Sequence, residues 1–162
     1  MKKPEVAIVM GSVSDLETMQ GAIDILKDFG VPVMAKVLSA HRSPSELEAF
    51  VLAMNNLGVK AFIAGAGGAA ALPGVVASFT TVPVLGVPVE TKALKGLDSL
   101  LSIVQMPAGI PVATFAIGKA GAKNAALFAV SLLALDSRSQ ASRLKAFRKK
   151  QAHAIRKIKV SV

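Results

Sequence analysis

AFIAGAGGAAALPGVVASFTTVPVLGVPV, residues 61–89, runs 29 positions without a charged side chain, and the fold turns on how it is read. A stretch that long is enough to cross a bilayer as a helix. Pro73, Pro83 and Pro88, with Gly65, Gly67, Gly68, Gly74 and Gly86, break any continuous helix through it. The reading left is two strands of a parallel sheet, covered on both faces and so apolar without alternation, joined by a short helix near 73–79. VKAFIAG (59–65) is then strand three and VPVLGV (82–87) strand four.

The same pattern extends outward. VAIVM (6–10) is an apolar run ending at Gly11, PVMAKVL (32–38) reads as strand two, and PVATFAI (111–117) as strand five. Between them the period changes. Leu16, Met19, Ile23 and Leu26 step by three and four, so a helix is expected from about Asp15 to Phe29, stopped by Gly30, with Ser14 and Glu17 as a capping box. Ser43-Pro44-Ser45-Glu46 offers a serine N-cap, a proline at the first helical position and a glutamate at the third, opening a helix that ends near Leu57 at Gly58. A further helix is expected from about Ala120 to Leu135. Strand and helix alternate with short links, which calls for an α/β, flavodoxin-like three-layer sandwich with a central parallel sheet, plus a C-terminal helix.

Charge divides the chain in two. Residues 1–136 hold 10 Lys+Arg and 10 Asp+Glu, whereas residues 137–162 hold 9 basic groups and no acid, so the whole net charge of +9 sits in the tail. Residues 1–136 are read as one catalytic domain. Residues 137–162 are read as a basic helix packing on its own or a neighbouring subunit, with Leu144, Phe147, Gln151, Ile155 and Ile158 as its stripe. The rival is an arm for nucleic acid. An aromatic content of 4% without Trp or Tyr provides no stacking platform, so nucleic acid is disfavoured. Apolar residues make up 52% and mean hydropathy is +0.55, a surplus that points to burial between subunits and hence a homo-oligomer. No cysteine is present, which excludes disulfides and suits the cytoplasm. The N-terminal apolar stretch is too short for a secretory signal, and no membrane association is expected.

In an open parallel sheet, ligands bind beyond the carboxyl ends of the strands. Three segments fall there. In GSVSD, Gly11 turns the chain, Ser12 and Ser14 offer hydroxyls, and Asp15 can accept hydrogen bonds from a sugar; a helix start beside them suits a phosphate. In SAHRS, Ser39 and Ala40 precede His41, which can give and take a proton near neutral pH, and Arg42, whose planar fork suits a phosphate. In GAGGAAALPG, Gly65, Gly67 and Gly68 expose main chain, Ala69 leaves room for a flat ring, and Leu72 closes the segment. Each also has a purely structural reading: a capped helix, a solvated loop histidine, close packing of strand on helix. The third glycine of a dinucleotide fingerprint is missing at Ala70. No P-loop, nucleophile elbow or metal-ligand spacing occurs, so no protein-bound catalytic metal is expected. His153, among lysines and arginines of the tail, reads as a surface residue.

Taken together and in order, VAIVMGSVSD, LSAHRSP, IAGAGGAAALPG, VPVLGVPV and LKGLDSLLSIVQMPAGIPVATFAIGKAGAKNAAL resemble the PurE family of purine biosynthesis, over roughly residues 5–135. SIVQMPAGIPV is similar to the mutase branch rather than to the carboxylase branch that uses free carbon dioxide. The resemblance implies a homo-octamer with sites shared between subunits. It implies conversion of N5-carboxyaminoimidazole ribonucleotide to 4-carboxy-5-aminoimidazole ribonucleotide without metal or organic cofactor. It makes His41 the proton shuttle, Ser12 and Arg42 phosphate ligands, Asp15 a ribose ligand, and Gly65 to Gly68 with Ala69 the cover over the aminoimidazole. One position departs: the family usually has histidine where this chain has Ala71. A natural variant that works without it, a divergent copy of weak activity and an engineered substitution all stand open. The alternatives in function are an aminoimidazole ribonucleotide carboxylase and a noncatalytic nucleotide-binding homologue. Leu16, where the family often has tryptophan, alters packing rather than chemistry.

Overall fold

The computed structural model describes residues 3–158 and residue 160; Met1, Lys2, Lys159, Ser161 and Val162, which belong to the two segments expected from sequence, lie outside the described residues. Five strands pair all-parallel in the order β2-β1-β3-β4-β5: β1 (Val6–Met10), β2 (Val33–Val37), β3 (Ala61–Ala66), β4 (Val84–Pro88) and β5 (Ala113–Thr114). Six helices connect and follow them: α1 (Leu16–Asp28), α2 (Pro44–Leu57), α3 (Leu72–Ser78), α4 (Leu97–Val104), α5 (Gly118–Leu133) and α6 (Arg138–Arg156). This is the flavodoxin-like architecture.

Side chains on a strand alternate between faces, and the core follows that rule. Val6, Ile8, Met10, Ala61, Ile63, Leu85 and Val87 face α1 and α5, whereas Ala7, Val9, Phe62, Ala64 and Val84 face the layer of α2, α3 and Ile103 from α4. β1, β3 and β4 are buried along their whole length. The uncharged stretch 61–89 is therefore two inner strands, as burial on both faces demands. Among the described residues no helix is long and apolar enough to cross a membrane.

Three local expectations change. Strand five pairs over two residues instead of seven: Pro111 at its expected start lacks the amide a ladder needs, and α5 begins at Gly118 directly after its expected end. Helix α4 was not anticipated, although Leu97, Leu101 and Val104 keep helical spacing. The tail stripe is half-buried at its start only: Leu144 and Phe147 pack onto the α1/α5 core, while Gln151, Ile155 and Ile158 are exposed. Within this chain α6 is tied to the end of α1. The Phe147 and Phe29 rings lie 5.6 Å apart, and Arg143 Nη1 donates to the Phe29 carbonyl.

Candidate active site

The bends after β1, β2, β3 and β4 meet at the carboxyl edge of the sheet around a cavity of about 460 Å3. Of the residues singled out from sequence, Gly11, Ser12, Ser14, Asp15, Ser39, Ala40, His41, Arg42, Gly67 and Leu72 line it. Gly65, Gly68 and Ala69 do not.

After β1, the chain makes a 3-10 turn (Val13–Asp15) before α1 begins. That turn places the capping box two residues earlier than the expected Ser14/Glu17, at Ser12/Asp15. Ser12 is the cap: its Oγ accepts from the Ser14 amide at 3.3 Å, and the Asp15 carboxylate accepts from the Ser12 amide at 3.0 Å. Ser12 Oγ also accepts from Ser14 Oγ at 3.0 Å, which leaves its own proton for a ligand. Asp15 is only 8% exposed. Burial raises its carboxyl above the ordinary value, against the opposing pull of the Ser12 amide, the Ser14 hydroxyl, the Gly11 amide and the Arg42 charge.

After β2, Ser43 does not cap α2. Its Oγ accepts from the Ser39 amide at 2.9 Å and donates to the Ser39 carbonyl at 3.1 Å, closing the Ser39–Ser43 bend on itself. Arg42 then ties this bend to the previous one. Its Nη2 donates to the Gly11 carbonyl at 2.9 Å and its Nε to Ser39 Oγ at 3.3 Å. Two of five guanidinium N–H groups are so used, and three remain for a ligand. His41 stands exposed at the rim, and among the described residues no hydrogen bond holds its ring.

The glycine bend after β3 is held from elsewhere. Gly65 lies inside β3, where a Cβ would collide with Met19 Sδ, so its glycine serves packing. The Gly68 amide donates to Ser99 Oγ at 3.0 Å, and the Gly68 carbonyl accepts from Ser102 Oγ at 3.3 Å. Ser99, wholly buried on α4, also donates to the Val89 carbonyl at 2.7 Å and so fastens this bend to the end of β4. Gly68 has φ +67 and Ala70 has φ +40. For a residue with a Cβ the left-handed region costs about 1–2 kcal/mol, and the strain at Ala70 turns Ala70 and Ala71 into the cavity wall. Ala71 is the N-cap of α3 and makes no side-chain capping bond. Ala66, Val89, Glu90 and Thr91 complete the lining and were missed from sequence. The available signal was that strand four ends at the same edge, and that Glu90 is the first charge after the uncharged run.

One imidazole, one buried carboxyl, a guanidinium with spare donors and three serine hydroxyls make a set that can hold an anion and move a proton. Among the described residues no three His, Cys, Asp or Glu side chains gather into a metal-binding set.

A family model described as AIR carboxylase matches residues 5–154. The match carries the likeness past residue 135, through most of α6, further than the sequence motifs reached. The chain is 56% identical over 151 residues to a Brucella melitensis protein named N5-carboxyaminoimidazole ribonucleotide mutase, covering 93% of each. It is 55% identical over 150 residues to the Escherichia coli protein of that name, covering 93% of this chain and 89% of the other. Among solved structures it is similar to Treponema denticola PurE, with TM-score 0.85 and 29% identity over 94% of both chains.

Proposed function

The chain belongs to the AIR carboxylase family, and we propose that it is an N5-carboxyaminoimidazole ribonucleotide mutase, an isomerase of purine biosynthesis. The observation that carries the site assignment is the presence of His41, Asp15, Ser12 and Arg42 around one cavity, with Arg42 bridging two of its bends. Ser12 and Arg42 hold the phosphate through unspent donors, and Asp15 accepts from the ribose hydroxyls. The main chain at Gly67, with Ala70, Ala71 and Leu72, covers the flat base.

The carboxylate leaves the exocyclic nitrogen as carbon dioxide while protonated His41 gives that nitrogen a proton. The ring carbon attacks the retained carbon dioxide. Neutral His41 then takes the proton from that carbon, which restores both the ring and the histidine. One imidazole serves both steps because the first leaves it in the state the second requires. Exclusion of water keeps the carbon dioxide in place. Ala71 leaves the wall without the imidazole usual in the family, so turnover is expected below that of a histidine-bearing relative.

The relatives carry the mutase name, which favours isomerisation over capture of free carbon dioxide. Assembly is assigned as a homo-octamer, in keeping with the exposed apolar residues Leu97, Leu101 and Val104 along α4. Sedimentation velocity of the full chain tests it. The compartment assigned is the cytoplasm.

The test is turnover of N5-carboxyaminoimidazole ribonucleotide by the wild type and by Ala71→His. Conversion without ATP or added bicarbonate, faster in Ala71→His, is expected. Product made only from aminoimidazole ribonucleotide plus bicarbonate would establish the carboxylase instead. Binding without turnover in either protein would establish a noncatalytic homologue.

A further inference from the structure

The charge around the cavity does not match the anion assigned to it. That substrate bears a phosphate and a carboxylate. The cavity wall offers one fixed cation, Arg42, against the carboxyl groups of Asp15 and Glu90. Arg42 already spends donors on Gly11 and Ser39. Left to itself, the cavity has no surplus positive charge with which to draw a multiply charged anion from solution.

The missing charge lies next door. A second cleft, of about 810 Å3, shares Ser14, Val89, Glu90 and Thr91 with the cavity, so the two lie side by side. Its lining also carries Lys92, Lys95 and Lys119. Lys119 is taken by Glu17 at 2.7 Å. Lys92 and Lys95 are exposed and make no ion pair among the described residues.

The bend that presents them is rigidly made. Thr91 Oγ1 donates to the Asp98 carboxylate at 2.8 Å and accepts from the Gly96 amide at 3.3 Å and the Leu94 amide at 3.4 Å. Lys95 and Gly96 both sit in the left-handed region, at φ +54 and φ +89. A Cβ at Gly96 would strike Ile117 Cγ2 at 2.5 Å. Two ammonium groups that form no ion pair among the described residues are thus carried on a fixed loop beside a cavity short of positive charge, in a cleft whose one unpaired acid is Glu90.

We propose that Lys92 and Lys95 form an anion-capture site that draws the phosphorylated ribonucleotide to the cavity mouth. The inference rests on the function proposed above and adds residues to it. The lysines are placed to act by field on the approaching anion, outside the catalytic group. Exposed charges are screened over a Debye length of about 8 Å at physiological salt, so their effect belongs to affinity at low ionic strength and vanishes at high.

The experiment is calorimetric binding of 4-carboxy-5-aminoimidazole ribonucleotide to the full chain, at about 20 mM and about 500 mM salt. The proteins are wild type, Lys92→Gln/Lys95→Gln, and Lys145→Gln/Lys149→Gln, which removes equal charge on the distant helix α6. At low salt the Lys92/Lys95 pair is expected to weaken binding about tenfold, and the α6 pair less than about twofold. At high salt all three should converge. Equal low-salt affinity of wild type and the Lys92/Lys95 variant overturns the inference and leaves the proposed function standing. Equal losses in both double variants overturn it in favour of a general net-charge effect. No binding by wild type at either salt concentration removes the proposed function and this inference with it.

Discussion

The bends after β2 and β3 border the same cavity but are built by opposite means. The Ser39–Ser43 bend holds itself. Ser43 closes it through the Ser39 main chain, and Arg42 ties it to Gly11, all with side chains from within the bend. The glycine bend contributes backbone and small side chains, and its support comes from Ser99 and Ser102, about 31 to 34 residues away on α4. A bend that carries its own chemistry also carries its own scaffold. A bend that offers only main chain must borrow one.

The largest effect expected on that contrast comes from Arg42→Gln. It removes the bridge between two bends together with the charge proposed to hold the phosphate. Charge-assisted bonds of about 1.5–3 kcal/mol correspond to a loss of roughly ten- to 150-fold in affinity for the product ribonucleotide. Calorimetry reads it, and an unchanged affinity would leave the phosphate site without its cation.

Next comes Ser99→Ala, which strands the Gly68 amide and the buried Val89 carbonyl. Unpaired buried groups cost about 1–3 kcal/mol. The urea midpoint should fall accordingly, and amide exchange at Gly68 should quicken while the Ser39 amide, on the self-supported bend, stays protected. Equal loosening of both bends would break the comparison. Ser43→Ala is the mirror test, with a loss of about 1 kcal/mol and exchange confined to Ser39.

The smallest effect is electrostatic. Burial raises the Asp15 pKa above its unfolded value, so folding takes up a proton between the two. The stability this gives is present at acid pH and is lost as pH rises from near the ordinary 3.8 through the raised pKa. Asp15→Asn keeps an acceptor for the Ser12 amide and avoids ionisation. Its Tm should exceed that of wild type at neutral pH by a few degrees at most, with the gap closing at acid pH. A gap independent of pH would mean that Asp15 is not held raised.

The same contrast explains what could be read from the chain. The self-supported features were legible because their determinants are adjacent: α2 runs Pro44–Leu57 and stops at a left-handed Gly58 as its boundary residues announce, and β1 is VAIVM to the residue. Gly11, Ser12, Asp15, His41 and Arg42 were found because each follows a readable strand. What failed depends on contacts distant in sequence. Gly65 looks like its neighbours until Met19 is packed on it. The bond from Gly68 to Ser99 has no local trace, and α4 went unread with it. Ser43 fits an N-cap by residue type, and only the closeness of Ser39 diverts its hydroxyl. Glu90 and Thr91 carry no ligand-binding motif of their own; only the assembled sheet shows that a fourth strand end reaches the same edge.

The central claim is that His41 relays the proton within this cavity. The direct measurement is the single-turnover rate of N5-carboxyaminoimidazole ribonucleotide with His41→Asn, in the wild-type chain and in Ala71→His, alongside product affinity. A loss of at least about 100-fold in rate is expected in both backgrounds, with affinity retained within about threefold. Turnover unchanged by His41→Asn in either background would contradict the claim.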